Sequence, residues 1–406
     1  MKKSAHKSLI ILFIVLLFPL TSIAQTFSIE VTAGALDRVH SVVSFYLPDD
    51  FEQGNYLLIG DDGTESVLQI DQQNRGWFIL DELSAGGSKQ FIFSKEFLVS
   101  DQSALAVNYL MDENTITINS GDESVLSYFH GENNPPEELD ERYRRGGYIH
   151  PVYSPSGVIL TNHLNADLHP HHSGIWSAWT NTEFDGRTPD FWNIHQNTGR
   201  VDVVEESLNR ENGAVFAGFS SKHRFLDLSA PDGPVTALNE SWIVRVYQSG
   251  AGYHFFDLEV TQTVNSDKPL HLPEYRYGGV GFRGHADWDD PDNAGFLTAE
   301  GLGRDGHGTR TRWTHIGGHS EGELAGIAIL GHPSNFRYPQ TVRIHPDEPF
   351  FNFAPQQMGA MDIQPGTPYQ ARYRYITYDG EPDTELLNRL WSDYAWPPGV
   401  TVTEMD

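Results

Sequence analysis

The chain has 406 residues, no cysteine and a formal net charge of −28. That length can bury a large core, and without disulfides or a lipid-modifiable cysteine, core burial has to supply the stability. The acidic excess repels phosphate backbones and anionic lipid, which argues against nucleic acid as a partner.

Lys2, Lys3 and Lys7 precede an apolar run from Leu9 to Leu20, and Ser22-Ile23-Ala24 places small residues before a cut. The pattern predicts a signal peptide over 1–24 and a periplasmic or secreted protein beginning near Gln25. The run is shorter than the roughly 20 residues of a spanning helix and has no successor, so no membrane anchor is expected.

From 25 to 135 the chain reads as a β-rich region. Phe27 to Val31 alternates, and Val42 to Leu47, Tyr56 to Ile59, Gly76 to Leu80 and Gln90 to Phe93 follow between turn residues. Asn114 to Asn119 alternates with the period of a half-buried strand. Between Gly131 and Gly147 a Glu-Asn-Asn-Pro-Pro-Glu-Glu stretch gives way to Arg142, Arg144 and Arg145, which marks an exposed connection and a boundary. The remainder, 136–406, is strand-like again at Gly252 to Val260, Glu274 to Phe282, Gly326 to Leu330 and Gln370 to Tyr378. Its loops carry most of the Trp, His and Arg, so function is expected there. A single helix is predicted over Asp383 to Tyr394, where Leu386, Leu387, Leu390, Trp391 and Tyr394 form one stripe behind an Asp383 or Thr384 cap. The fold class is therefore all-β with a short C-terminal helix.

Chemistry concentrates first in His150-Pro151-Val152-Tyr153, Leu168-His169-Pro170-His171-His172 and Trp176, Trp179 and Trp192. Pro170 favours an extended His169, which would put His169 and His171 on one side and His172 on the other. Crowded imidazoles shift one another's protonation and are costly to bury without a use, although any one of them can serve as a loop hydrogen-bonding group. Metal binding, proton transfer with Tyr153 as partner, and stacking of the tryptophans on sugar rings compete as explanations. The histidine spacing lacks the paired pattern of zinc sites, so neither a metal nor another cofactor is expected.

The second motif is Glu274-Tyr275-Arg276-Tyr277-Gly278-Gly279 with Arg283. On a strand, Glu274 and Arg276 would share a face, either as a solvated ion pair or with Arg276 or Arg283 clamping a carboxylate. A third set, Gly331-His332-Pro333-Ser334-Asn335-Phe336-Arg337, presents His332 and Arg337 at a strand end. The acidic run from Asp287 to Asp292 lacks the spacing of a calcium loop and reads as solvated.

Tyr148 to Gly157, His169 to Trp176, Glu274 to Gly279 and Gly331 to Asn335 together resemble the DUF6807 family, also labelled the methane oxygenase PmoA family. The resemblance spans roughly residues 140–380. It implies a secreted protein of polysaccharide-utilising bacteria and a large β-sandwich similar to the galactose-mutarotase supersandwich.

Glycoside hydrolysis needs paired carboxylates, and the motifs supply few: Asp167, Asp190 and Glu274. Histidine, tyrosine and arginine outnumber them in a strongly acidic chain, which points to an acidic oligosaccharide as partner. The expected reaction is β-elimination from a uronic acid by a carbon–oxygen lyase, expelling a sugar or water. The expected catalytic set is His171, His172, Tyr153, Arg276 and Glu274. His150, His169, Trp176, Trp179, Trp192, Arg283, His332 and Arg337 are expected to bind substrate. A glycoside hydrolase using Glu274 and a non-catalytic carbohydrate-binding sandwich are the alternatives.

Overall fold

The computed structural model describes residues 25–48, 50–95, 106–165 and 168–405. The expected signal segment and Asp167 lie outside the described residues. Alternation in the first strands works as the pattern predicts. In Thr26–Thr32, Phe27, Ile29 and Val31 are buried, and in Gly54–Gly60, Tyr56 and Leu58 are. The apolar face of each strand turns inward because side chains alternate across a pleated strand.

These strands build a seven-stranded sheet in the order Arg38–Tyr46, Arg75–Leu83, Glu65–Ile70, Gly54–Gly60, Ser88–Ser94, Thr26–Thr32 and Gly399–Met405. Val43 and Phe78 from one end and Phe27 and Ile29 from the other belong to one core. Its last strand comes from the far end of the chain, with Thr26 opposite Met405 and Thr32 opposite Gly399.

The body of the protein is a β-sandwich. One sheet has eight strands, ordered Val342–Ile344, Phe350–Phe353, Gly279–Arg283, Ile175–Ala178, Tyr148–Val152, Glu123–Phe129, Thr115–Ser120 and Val107–Met111. The other has nine, with Phe216–Asp227, Val235–Tyr247, Tyr253–Val264 and Tyr369–Asp379 as long central neighbours. Between them lie Ile118, Leu126, Ile175 and Phe282 from the first sheet and Phe219, Trp242, Leu258 and Tyr375 from the second. A truncation such as Trp242→Ala would cost about 3–5 kcal/mol here, since close-packed neighbours cannot refill the void.

Strands up to Ser94 belong to the seven-stranded sheet, and the eight-stranded sheet begins at Val107. The strand Glu123–Phe129 pairs with Thr115–Ser120 on one side and, across the connection at 131–147, with Tyr148–Val152 on the other, so the connection is an excursion within one sheet. The strand expected from Glu274 is shorter and begins at Gly279. Gly278 has φ 149 and Gly279 φ 96, so the backbone turns there before entering the sheet.

The helix occupies Thr384–Ala395, capped by the Asp383 carboxylate, which accepts from the amides of Glu385 and Leu386. Its Leu387, Leu390 and Trp391 pack with Trp77 of the seven-stranded sheet and Tyr253 and Ile376 of the nine-stranded one. A buried ion pair of 2.8 Å between Arg38 and Asp393 ties the same elements together. No described helix is long and apolar enough to cross a membrane.

Candidate functional site

The eight-stranded sheet has two apolar faces. Ile175, Phe282 and Phe351 point into the sandwich, while Trp176 and Phe350, one position away, join a second cluster with Trp192, Phe191 and Tyr148. Gly281 lies between the tryptophans. A Cβ there would come within 2.8 Å of Trp192 and 3.0 Å of Trp176, so only glycine lets the rings close over the strand.

The histidines sit on this outer layer. His169 to His172 is a turn in which the His169 carbonyl accepts from the His172 amide at 3.0 Å. Pro170 occupies the second turn position, where its fixed φ is favoured. The extended alternation expected for this segment is thereby overturned, and the three imidazoles converge. His169 and His172 stack with centroids 4.8 Å apart, and His171 meets His172 at 4.6 Å. His172 also stacks on Trp176 and on Phe350, each at 4.9 Å, so the aromatic layer fixes its plane. Gly174, at φ 52, passes close against the Ile149 carbonyl as the chain enters the strand, leaving no room for a side chain.

A carboxylate arrives from elsewhere in the sequence. The strands Val342–Ile344 and Phe350–Phe353 are joined by the turn His345-Pro346-Asp347-Glu348-Pro349, and pairing of Phe350 with Arg283 brings that turn over the histidines. Glu348 Oε2 lies 2.7 Å from His169 Nδ1 and 2.9 Å from the Arg283 guanidinium. Arg283 also pairs with Asp289. The Glu348 backbone amide donates to His345 Nδ1 at 3.0 Å. His169, His172 and Glu348 place their ligand-type atoms within 4.8 Å of one another, the one such trio among the described residues. Spacing along the sequence does not reveal this trio, because Glu348 stands 179 residues from His169.

The cleft in front of this group has a volume of about 390 Å³ and is lined by His169, His171, His172, His345, Trp192, Asn193, Arg276, Tyr277, Arg343 and Phe350. None of these is an acid. Among the described residues neither Arg276 nor Arg343 forms an ion pair, and Arg343 Nε is buried without a hydrogen-bond partner. Tyr277 is held by Asn193, whose amide donates to the phenol oxygen at 3.2 Å. Asn193 in turn donates to Asp190, a buried carboxylate that also accepts from Thr180.

Burial dominates the protonation of these groups. It drives His172 well below the ordinary imidazole value and, with the adjacent His169, His195 and Arg145, brings His171 to about 3. His345 is lowered by burial despite Glu348 beside it. Burial alone would raise Glu348, but His169, His345 and Arg283 outweigh it and hold the carboxyl below its ordinary value. Arg343 is lowered by burial and by the like charge of Arg276.

Of the expected site residues, His169, His171, His172, Arg276 and Trp192 line this cleft. Glu274 is exposed and outside it, because residues 273–278 form a loop and the shared strand face does not exist. Tyr153 is also outside; it bridges to Ile159 beyond the strand end. His150 turns to Thr161, with Nδ1 2.9 Å from the hydroxyl, and burial brings it to about 4. Trp176 and Trp179 are fully buried, the latter donating to Gln262, so neither has a face for a sugar. Arg283 is 1% exposed and already holds two protein carboxylates. Arg337 donates to the carbonyls of Pro355, Gly359 and Ala360 and staples that loop.

His332 lies apart, in a cleft of about 730 Å³ beside Asp257, Glu259, Arg372 and Arg374. That cleft is larger but carries carboxylates of its own, which pair with two of its arginines, Arg374 with Asp257 at 2.7 Å and Arg372 with Glu259 at 3.3 Å, while its Arg75 hydrogen-bonds Ser44 and lies over the Trp77 ring.

Glu348, His345, Arg343, Asn193 and Tyr277 were not anticipated as site residues. The one local signal was the His-Pro-Asp-Glu-Pro turn, two prolines bracketing a carboxylate three residues after a histidine. The model of a family described as a family of unknown function (DUF6807) matches residues 115–392. A search of curated proteins finds no match.

Proposed function

Because the chain belongs to the DUF6807 family, whose description assigns no activity, the site itself has to carry the reading, and we propose a carbon–oxygen lyase acting on acidic oligosaccharides. The observation that carries it is the composition of the cleft. A chain with net charge −28 lines this cleft with two guanidiniums, four imidazoles and no carboxylate. Cations held without acidic partners, one of them with a buried orphaned nitrogen, favour an anionic ligand that supplies the missing acceptors.

In this proposal Arg276 and Arg343 receive the carboxylate of a uronic acid. Neutralising that group stabilises the enolate-like charge that forms when the neighbouring C5–H is removed. His171, neither of whose ring nitrogens is hydrogen-bonded to a described residue, accepts the proton. The C4–O bond then breaks, a C4–C5 double bond forms, and the departing oxygen takes a proton from the Tyr277 phenol. The leaving group is the 4-linked sugar or, at an unsubstituted end, water. Hydrolysis through Glu274 loses support because that residue is outside the cleft and no carboxylate pair lines it.

Incubation with uronate-ended oligosaccharides should raise ultraviolet absorbance as the conjugated double bond appears, and product mass should separate loss of sugar from loss of water. Cleavage of neutral glycosides with uptake of water, uronates remaining intact, would replace elimination by hydrolysis.

A further inference from the structure

We infer that His169, His172 and Glu348 form a binding site for one divalent transition-metal ion of the zinc class. The inference is independent of the sugar and of the reaction. Two imidazoles and one carboxylate are a recurrent three-ligand set for zinc and its first-row neighbours, with a further position left for water or substrate.

The trio has the features such a site needs. Its donor atoms lie within 4.8 Å of one another. Around an ion about 2.1 Å from each ligand, donors sit roughly 3.3–3.5 Å apart, so a separation of 4.8 Å has to close by about 1.3–1.5 Å. The 2.7 Å contact of His169 with Glu348 has to open by less. Both adjustments are within reach of a half-exposed His169 ring, 37% accessible, and a turn-borne Glu348.

A second observation points the same way. His172 is 5% exposed and clamped between aromatic rings, yet its Nδ1 has no hydrogen-bond partner. A buried imidazole nitrogen without a partner is costly, and a cation is one group that satisfies it. Glu348 also has outer support of the kind that orients metal ligands: Arg283 grips it and is itself held by Asp289. His345 Nε2 lies 3.9 Å from the other Glu348 oxygen, next to the trio but outside it. Arg276 and Arg343 oppose a dication across the cleft, so an anion bridging them to the ion should tighten it.

The test is equilibrium dialysis of the full chain against Zn²⁺ alone, followed by elemental analysis, with the visible spectrum of the Co²⁺-loaded protein as a second readout. One equivalent should bind. His169→Ala and Glu348→Gln should each weaken it by at least about tenfold and alter the cobalt spectrum, while His271→Ala, which removes a surface histidine paired with Asp362, should leave both unchanged. Because the His169 ring is half-exposed, its alanine variant should melt like the parent and keep the test valid even if Glu348→Gln folds poorly. The inference is overturned if the folded parent binds no stoichiometric zinc or cobalt, or if His169→Ala retains parental affinity and spectrum.

Discussion

The protein contains two histidine–glutamate pairs of the same length in opposite settings. His223 Nδ1 lies 2.7 Å from Glu240 in the sandwich interior, and His169 Nδ1 lies 2.7 Å from Glu348 on the outer layer. The interior pair is saturated. Glu240 also accepts from Ser177 at 2.6 Å and Gln262 at 2.7 Å, and His223 Nε2 meets the Tyr128 hydroxyl at 2.9 Å. Both side chains are at most 1% exposed. The outer pair faces a cleft with unpaired guanidiniums and a neighbouring imidazole that lacks a partner. A His–Glu contact alone therefore does not mark a site; unsatisfied groups and an opening do.

This contrast can be broken by substitution. The largest effect is expected in turnover: His171→Ala should slow elimination by about 10²- to 10⁴-fold, as loss of a proton-transfer group does, with the melting temperature little changed. Uronate kinetics alongside thermal denaturation checks both halves. In the interior, His223→Ala should do the reverse, costing about 3–5 kcal/mol of stability because it leaves the Glu240 carboxyl buried and uncompensated. Urea denaturation measures it, and a loss under 1 kcal/mol would mean that water or relaxation replaces the imidazole. Arg276→Lys should lower kcat/KM for uronates by about tenfold to a hundredfold, since an ammonium cannot reproduce a forked contact. Neutral sugars should bind both proteins alike.

The smallest effect concerns a third carboxyl, Glu211, which is half-buried without a strong partner. Gln69 and Gln53 reach it only at 3.4 Å, and burial, then Asp71, push it up to about 7 against the pull of Arg245. Below its ordinary value of 4.5 the group is protonated whether folded or unfolded. As pH rises from there to about 7, unfolding lets it ionise, so stability falls, and above 7 the penalty stays constant. Glu211→Gln should remove that slope and stabilise the protein at pH 8 by about 1 kcal/mol, the shift being discounted for partial exposure. Denaturation midpoints at pH 4.5 and 8 test it.

Much of the fold was legible because burial follows local periodicity. Alternation in Thr26–Thr32 and the leucine stripe behind Asp383 need only their neighbours to be read. The site was legible only in part. His169 to His172 stood out by density, but Pro170 serves a turn and not a strand, so which rings converge depended on a backbone choice composition does not settle. Trp192 lines the cleft, but Trp176 and Trp179 do not, since a large ring beside a site is still most cheaply placed in a core. The turn carrying Glu348 is a local signal, but its approach to the histidines, and that of Arg343, comes from the register of Phe350 on Arg283, a pairing between distant segments.

The closing strand of the seven-stranded sheet bears on how the chain is made. Thr26–Thr32 pairs on one side with Ser88–Ser94 and on the other with Gly399–Met405, a segment made long after both. Until that segment emerges, one side of Thr26–Thr32 remains an open edge, able to recruit any passing strand. The early strands thus await synthesis of Gly399–Met405 before that edge is sealed, so assembly of the sheet is timed by the whole length between them.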